Sequence, residues 1–170
     1  MTTYAGPALV MRPALPDDLD EITRIEVGPE TTPYIGVTGR EYHLAARADA
    51  DQEHLVGVVG TTVTGFILLA GLRDGGGRIE LRRIVLAHEF RGRGHGRAMV
   101  RAAVAHAHER YDARSVWLDV KPDNHRALAL YTSEGFRPDG TIPDPQEPAE
   151  VLLLMTRPRD DRAARTESED

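Results

Sequence analysis

The sequence predicts a mixed α/β domain: a mostly antiparallel sheet with one parallel strand pair and helices packed on it. Three observations carry that prediction. Two apolar runs, Leu55–Val59 and Thr64–Leu72, are separated by a turn at Gly60–Thr62 and so pair antiparallel. A strand at Ile79–Leu86, a long helix and a strand at Ser115–Val120 form a crossover, which makes those two strands parallel and the connection right-handed. The length, 170 residues, suits one domain, since two independent cores would both be small.

The elements follow in order. Ala8–Met11 is a short first strand. Asp17 or Asp18 caps a helix that runs to about Val27, with Leu19, Ile22 and Ile25 at helical spacing, and Gly28-Pro29 stops it. Residues 30–39 read as loop, and Thr38 caps a second helix from Arg40 to about Ala48. The hairpin comes next, then a glycine-rich turn at Asp74–Gly77 and the Ile79–Leu86 strand. In the long helix Met99, Ala102, Ala103, His106, Ala107 and Arg110 make one stripe. A short helix over about Asn124–Glu134 ends at Gly135, a left-handed cap. A proline-rich loop, Ile142–Pro148, leads to a last strand at Val151–Met155, and the polar stretch from Pro158 to Asp170 reads as a frayed tail after a domain of residues 1–157. The expectation is six or seven strands and four helices.

Composition narrows the function. There is no Cys, which excludes disulfides, thiolate metal sites and a Cys nucleophile. The net charge of −6 disfavours a nucleic-acid partner, whose phosphates are met by Lys and Arg. The N-terminus does not read as a signal peptide, and no apolar run approaches the ~20 residues of a membrane span, so a cytoplasmic protein is expected. Neither the seven His residues nor His88-Glu89 has metal-site spacing, and Gly-x-Ser-x-Gly is absent, so neither a metal nor a serine hydrolase is expected. Trp117 and Phe136 are assigned to the core.

One segment carries chemistry. Arg91-Gly92-Arg93-Gly94-His95-Gly96-Arg97 stands where a strand turns into a helix. There the first backbone N–H groups have no intrahelical partner and the helix dipole is positive, so the turn is a cradle for an anion such as a pyrophosphate. Arg91, Arg93 and Arg97 add charge at its rim. Neither the P-loop Gly-Lys-Ser/Thr nor the dinucleotide fingerprint is present.

Arg91-x-x-Gly94-x-Gly96, with Glu80–Phe90 before it and Asn124-x-x-Ala127-x-x-x-Tyr131-x-x-x-Gly135-Phe136 after it, resembles the signature of the GNAT superfamily of acyltransferases. His88 stands where many members have Pro. The likeness is loosely closest to members that acetylate protein N-termini. It implies acetyl-CoA as cosubstrate, an amine acceptor, and a wedge where strands 79–86 and 115–120 splay apart. It further implies that backbone groups near Ile84, Val85 and Leu86 hold the pantetheine arm and acetyl carbonyl, and that Tyr131 protonates the departing thiolate.

Several residues keep two readings. An N–H in the Ile84–Leu86 strand can stabilise an oxyanion, while its side chains fill a core. Asn124 and Tyr131 are two helical turns apart and share a face; Asn124 is either a CoA contact or a helix cap. Tyr131 is a general acid or a packing Tyr. The attacking amine needs a base, and Glu80, of the same parity on its strand as Ile84 and Leu86, is either that base or a carboxylate paired with Arg82 or Arg83. Tyr34, Tyr42 and His43 lie where acceptor contacts often fall in the family. The function expected is N-acetylation of a primary amine in a monomer or homodimer, the alternative a catalytically silent acyl-CoA-binding module. The acceptor is left open between a protein N-terminus, Lys, polyamine, antibiotic and metabolite.

Overall fold

Seven strands form one sheet in the order β1-β2-β3-β4-β5-β7-β6 in the computed structural model, which describes residues 8–28, 31 and 36–160. The strands are β1 Leu9–Pro13, β2 Gln52–Val59, β3 Thr62–Ala70, β4 Arg78–Leu86, β5 Ser115–Val120, β6 Arg137–Pro143 and β7 Val151–Pro158. The helices are α1 Leu19–Glu26, α2 Gly39–Ala48, α3 His95–Tyr111 and α4 His125–Ser133. All strand pairs are antiparallel except β4–β5, the pair joined through α3.

Two cores follow from the alternation of strand side chains. On one face Met99, Val100, Ala103, Val104 and Ala107 of α3 pack on Leu55, Ile67, Leu69, Ile79, Leu81, Val116 and Leu118. On the other, Ile22 and Ile25 of α1 pack on Val56, Phe66 and Val85. Phe136 is a core residue, 1% exposed. Trp117 is not: it is half-buried, with the Arg78 guanidinium 5.1 Å from its ring centroid.

Four further departures concern helix caps and strand bounds. Residues Pro16–Asp18 form a 3-10 turn, and Asp18 does not cap α1. Its carboxylate accepts instead from the Leu15 amide at 2.6 Å and from Arg12 at 2.6 and 3.0 Å. Thr38 likewise makes no side-chain cap at α2. β6 takes residues 137–141, to which no element was assigned, and the first two residues of the loop expected at Ile142–Pro148. It is an edge strand bearing Pro138, Gly140 and Pro143, and Pro is tolerated only where no inner ladder bond is needed. Finally, β7 runs on to Pro158, past the expected Met155, and the Arg159 amide donates to Arg114 O at 2.8 Å. Tyr34, Pro29 and residues 161–170 of the expected tail lie outside the described residues. Among those described, no helix is long and apolar enough to cross a membrane.

Candidate active site

β4 and β5 stay paired over only three positions, Arg78↔Ser115, Ile79↔Val116 and Glu80↔Trp117. Beyond Glu80 they part, and a cleft of about 320 Å³ opens between residues 81–84 and 118–121. Asn124, Ala127 and Tyr131 of α4 wall one side; Gly36 and Asp144–Gln146 wall the other. Successive amides of a strand point to alternate edges, so past Glu80 the β4 amides on the β5 edge have no neighbouring strand to bond. Ile84 lines the gap, whereas Val85 is buried in the α1-side core. Leu86 packs against the α3-side core.

The α4 wall is set by a cap. Asn124 Oδ1 accepts from the Ala127 amide at 3.2 Å, so Asn124 both starts the helix and faces the cleft. Two turns on, Tyr131 packs on Phe136, ring centroids 5.8 Å apart. Its hydroxyl has no hydrogen-bond partner among the described residues. Burial, reinforced by the charge of Asp119, pushes its pKa up to about 12, so it keeps its proton at neutral pH.

The glycine turn has the geometry of an anion cradle. Gly92 and Gly94 take φ of 75° and 80°, a region that other residues resist. Among the described residues, apart from each glycine's chain neighbours, no atom lies within 4 Å of where a Cβ would stand on either, so the backbone is bare there. The first bond of α3 is Ala98 N–H to Gly94 O, 3.1 Å, which leaves the amides of His95, Gly96 and Arg97 without intrahelical acceptors. The arginines divide. Arg93 is exposed and makes no ion pair among the described residues. Arg97 is not a rim charge: it donates to Ser133 Oγ at 2.7 Å and pairs with Glu134, which Arg101 also binds at 2.7 Å. Arg91 donates to Leu86 O at 3.1 Å and to Thr31 Oγ1 at 3.0 Å, tying the end of β4 to the segment after α1. His95 stacks edge-on with Phe90.

Glu80 does not share a face with Ile84 and Leu86. A bulge between Leu68↔Arg83 and Leu69↔Leu81 makes Arg82 an extra residue in β4. Ile79 and Leu81 before it, and Ile84 and Leu86 after it, therefore all face α3. Glu80 points to the opposite side, where Arg82 clasps Glu80 Oε2 through Nε at 3.0 Å and Nη2 at 2.8 Å.

That side of the cleft holds residues the sequence did not single out. Asp119 on β5 has no ion-pair partner among the described residues. Burial, with the nearby charges of Glu80 and Asp144, raises its pKa. The cations there are all engaged: Arg82 by Glu80, Arg83 by Glu26 at 2.8 Å, and Lys121 by Asp144 and Glu147 at 3.8 and 3.6 Å. Of the charged residues lining the cleft, three are cations, Arg82, Arg83 and Lys121, and two are carboxylates, Asp119 and Asp144, so Asp119 is the one whose charge no ion pair among the described residues takes up. Asp119 was discoverable in principle, being the lone polar position in the run Val116–Val120 apart from Trp117.

The acetyltransferase (GNAT) family profile matches residues 18–136. The chain belongs to the GNAT acetyltransferase family. It is 26% identical over 158 residues to an N-alpha-acetyltransferase of Saccharolobus solfataricus, covering 90% of this chain and 95% of that one. It is 30% identical over 66 residues to a spermine/spermidine N(1)-acetyltransferase of Bacillus subtilis, 39% of this chain and 43% of that one. In fold it is similar to the spermidine N-acetyltransferase of Vibrio cholerae in complex with CoA and spermine, with TM-score 0.76 and 18% identity over 87% of this chain and 94% of that one. As a GNAT N-acetyltransferase the chain uses acetyl-CoA as cosubstrate.

Proposed function

We propose that this GNAT enzyme moves the acetyl group of acetyl-CoA to a cationic primary amine by direct attack inside the β4–β5 cleft. The observation that carries the reading is the two-sided cleft. It passes through the sheet at the splay, with Tyr131 on the α4 side and the unpaired Asp119 on the other. Donor and acceptor then reach the acetyl carbon from opposite faces.

On the α4 side, the amides of residues 95–97 hold the pyrophosphate and Arg93 adds charge, while the β4 backbone near Ile84–Leu86 takes the pantetheine arm in place of a strand. A β4 N–H at the gap stabilises the oxyanion as the amine adds to the carbonyl. The C–S bond then breaks, and Tyr131, protonated and with no hydrogen-bond partner among the described residues, gives its proton to the thiolate. On the other side the unpaired Asp119 draws in an ammonium. Asp119 is assigned the proton that the amine loses before or during attack, while Glu80 is held in an ion pair by Arg82.

Asp119 suits one ammonium of a polyamine as its counter-charge. The name of the Bacillus subtilis relative agrees with that choice; the Saccharolobus solfataricus relative points to a peptide α-amine. Thermal unfolding with acetyl-CoA, then CoA release with spermidine, tests the reading. A ligand at ~100 Kd adds ~2.7 kcal/mol of stability. A rise with acetyl-CoA followed by spermidine-dependent CoA release is expected. No rise at millimolar acetyl-CoA would sink the cradle, and a rise without release to spermidine would exclude a polyamine.

A further inference from the structure

Glu26, the last residue of α1, is fully buried. A carboxylate removed from water is strongly unfavourable unless donors replace the water, and Glu26 has collected four. Arg83 Nη1 donates at 2.8 Å, Thr38 Oγ1 at 3.0 Å, and the amides of Thr38 and Gly39 at 3.2 Å each. His43 Nε2 lies 3.3 Å away. His43 Nδ1 stands 3.0 Å from His54 Nε2, a contact that holds one proton. Phe66 meets the His43 ring edge-on at 5.4 Å and fixes its orientation.

The outputs of this cluster are cleft residues. The Thr38 and Gly39 amides open α2, so Glu26 does the capping that Thr38 does not. The same Arg83 Nη1 that binds Glu26 also donates to Gly36 O at 2.7 Å, and its guanidinium lies 5.4 Å from the Tyr42 ring centroid. Gly36 and Arg83 both line the cleft. A Cβ on Gly36 would stand 2.3 Å from Gln146 Nε2, so Gly36 closes against the loop of Gln146.

We propose that Glu26 is a positioning residue for the acceptor: through Arg83 and the start of α2 it holds the Gly36 wall of the cleft in place. It touches no reacting atom. The proposal rests on reading the cleft as the site of acetyl transfer, and the test separates the two.

Glu26→Gln removes the charge that all the donors share. Arg83→Lys keeps the buried charge paired, so it folds even where Glu26→Gln does not, but one ammonium cannot span Glu26 and Gly36 O as the guanidinium does. In both variants amide hydrogen exchange across 36–39 is expected to quicken, with α3 and β5 unchanged. The KM for spermidine is expected to rise about tenfold with kcat within about twofold, as for lost acceptor binding alone. Acetyl-CoA stabilisation of the fold is expected to stay. Unaltered exchange at 36–39 with unaltered KM overturns the proposal. So does a parallel loss of acetyl-CoA binding, which would make Glu26 a general support of the fold. Should wild-type protein not turn over spermidine, the polyamine reading fails, and the exchange experiment still decides the role of Glu26.

Discussion

The two sides of the cleft are built by different means. The α4 side is made of backbone and spacing: a glycine turn, a helix start, and Asn124, Ala127 and Tyr131 on one helix face. The opposite side is made by residues from distant segments: Asp119, Asp144, Arg83 and the Gly36 backbone line it, and Glu26, His43 and His54 stand behind Arg83. The difference follows from the two ligands. A pyrophosphate and an amide-bearing arm are met well by amides, which any sequence of suitable conformation supplies. A particular amine is selected by charge and shape, which only side chains supply.

The comparison breaks most visibly under acid. Burial holds the His54 pKa down to about 4, below its ordinary value, so in the folded state it stays neutral while the unfolded chain takes up a proton. Its contribution is complete above pH ~6.5 and is lost as pH falls toward 4, an effect of about 3 kcal/mol. Glu26 follows. Burial works against its ionisation, but donors from His43, Thr38 and Gly39 and the Arg83 charge win, and bring its pKa down to about 2. Its contribution is present above pH ~4.5 and is lost toward pH 2, again about 3 kcal/mol. Urea unfolding at pH 7, 5 and 4 should show stability falling with pH. His54→Gln should remove most of the change above pH 4. Equal slopes in the two proteins would mean that His54 titrates normally.

The next effect belongs to the other side. Tyr131→Phe should lower kcat by about 10²-fold, because the thiolate then leaves unprotonated, while acetyl-CoA stabilisation stays. A rate within a few fold of wild type would make Tyr131 a packing residue against Phe136.

Legibility in the sequence divides along the same line. The glycine turn and the Asn124–Tyr131 spacing could be read because each lies within one short segment whose local conformation sets its role. The Glu26 cluster could not: it joins residues 26, 36, 38, 39, 43, 54 and 83, and nothing in any one segment marks the partners. The β4 bulge hid equally well. Arg82 reads as an ordinary strand residue, yet one inserted position turned Glu80 away from the face that strict alternation gave it. β6 was missed since Pro138, Gly140 and Pro143 disguise an edge strand as loop.

Asp119→Asn sharpens the acceptor side itself. Loss of the cleft's uncompensated carboxylate should cost about tenfold in kcat/KM for spermidine, ~1.4 kcal/mol, and the loss should shrink in high salt. Glu80→Gln, which leaves Asp119 in place, should cost less. The reverse order would return the base to Glu80.

The smallest effect is the most discriminating for the α4 side. Asn124→Ala removes the acceptor for the Ala127 amide and should cost ~1 kcal/mol of stability. Asn124→Asp should restore the cap. Comparing the two by thermal unfolding in acetyl-CoA separates the roles that one side chain combines. Were Asn124 a cap alone, the ligand-induced rise would be the same in wild type and both variants, since an equal affinity for the folded state adds an equal increment. A smaller rise in Asn124→Ala and Asn124→Asp alike would mean that the Asn124 amide group also touches the donor, because the carboxylate supplies the cap but not the N–H.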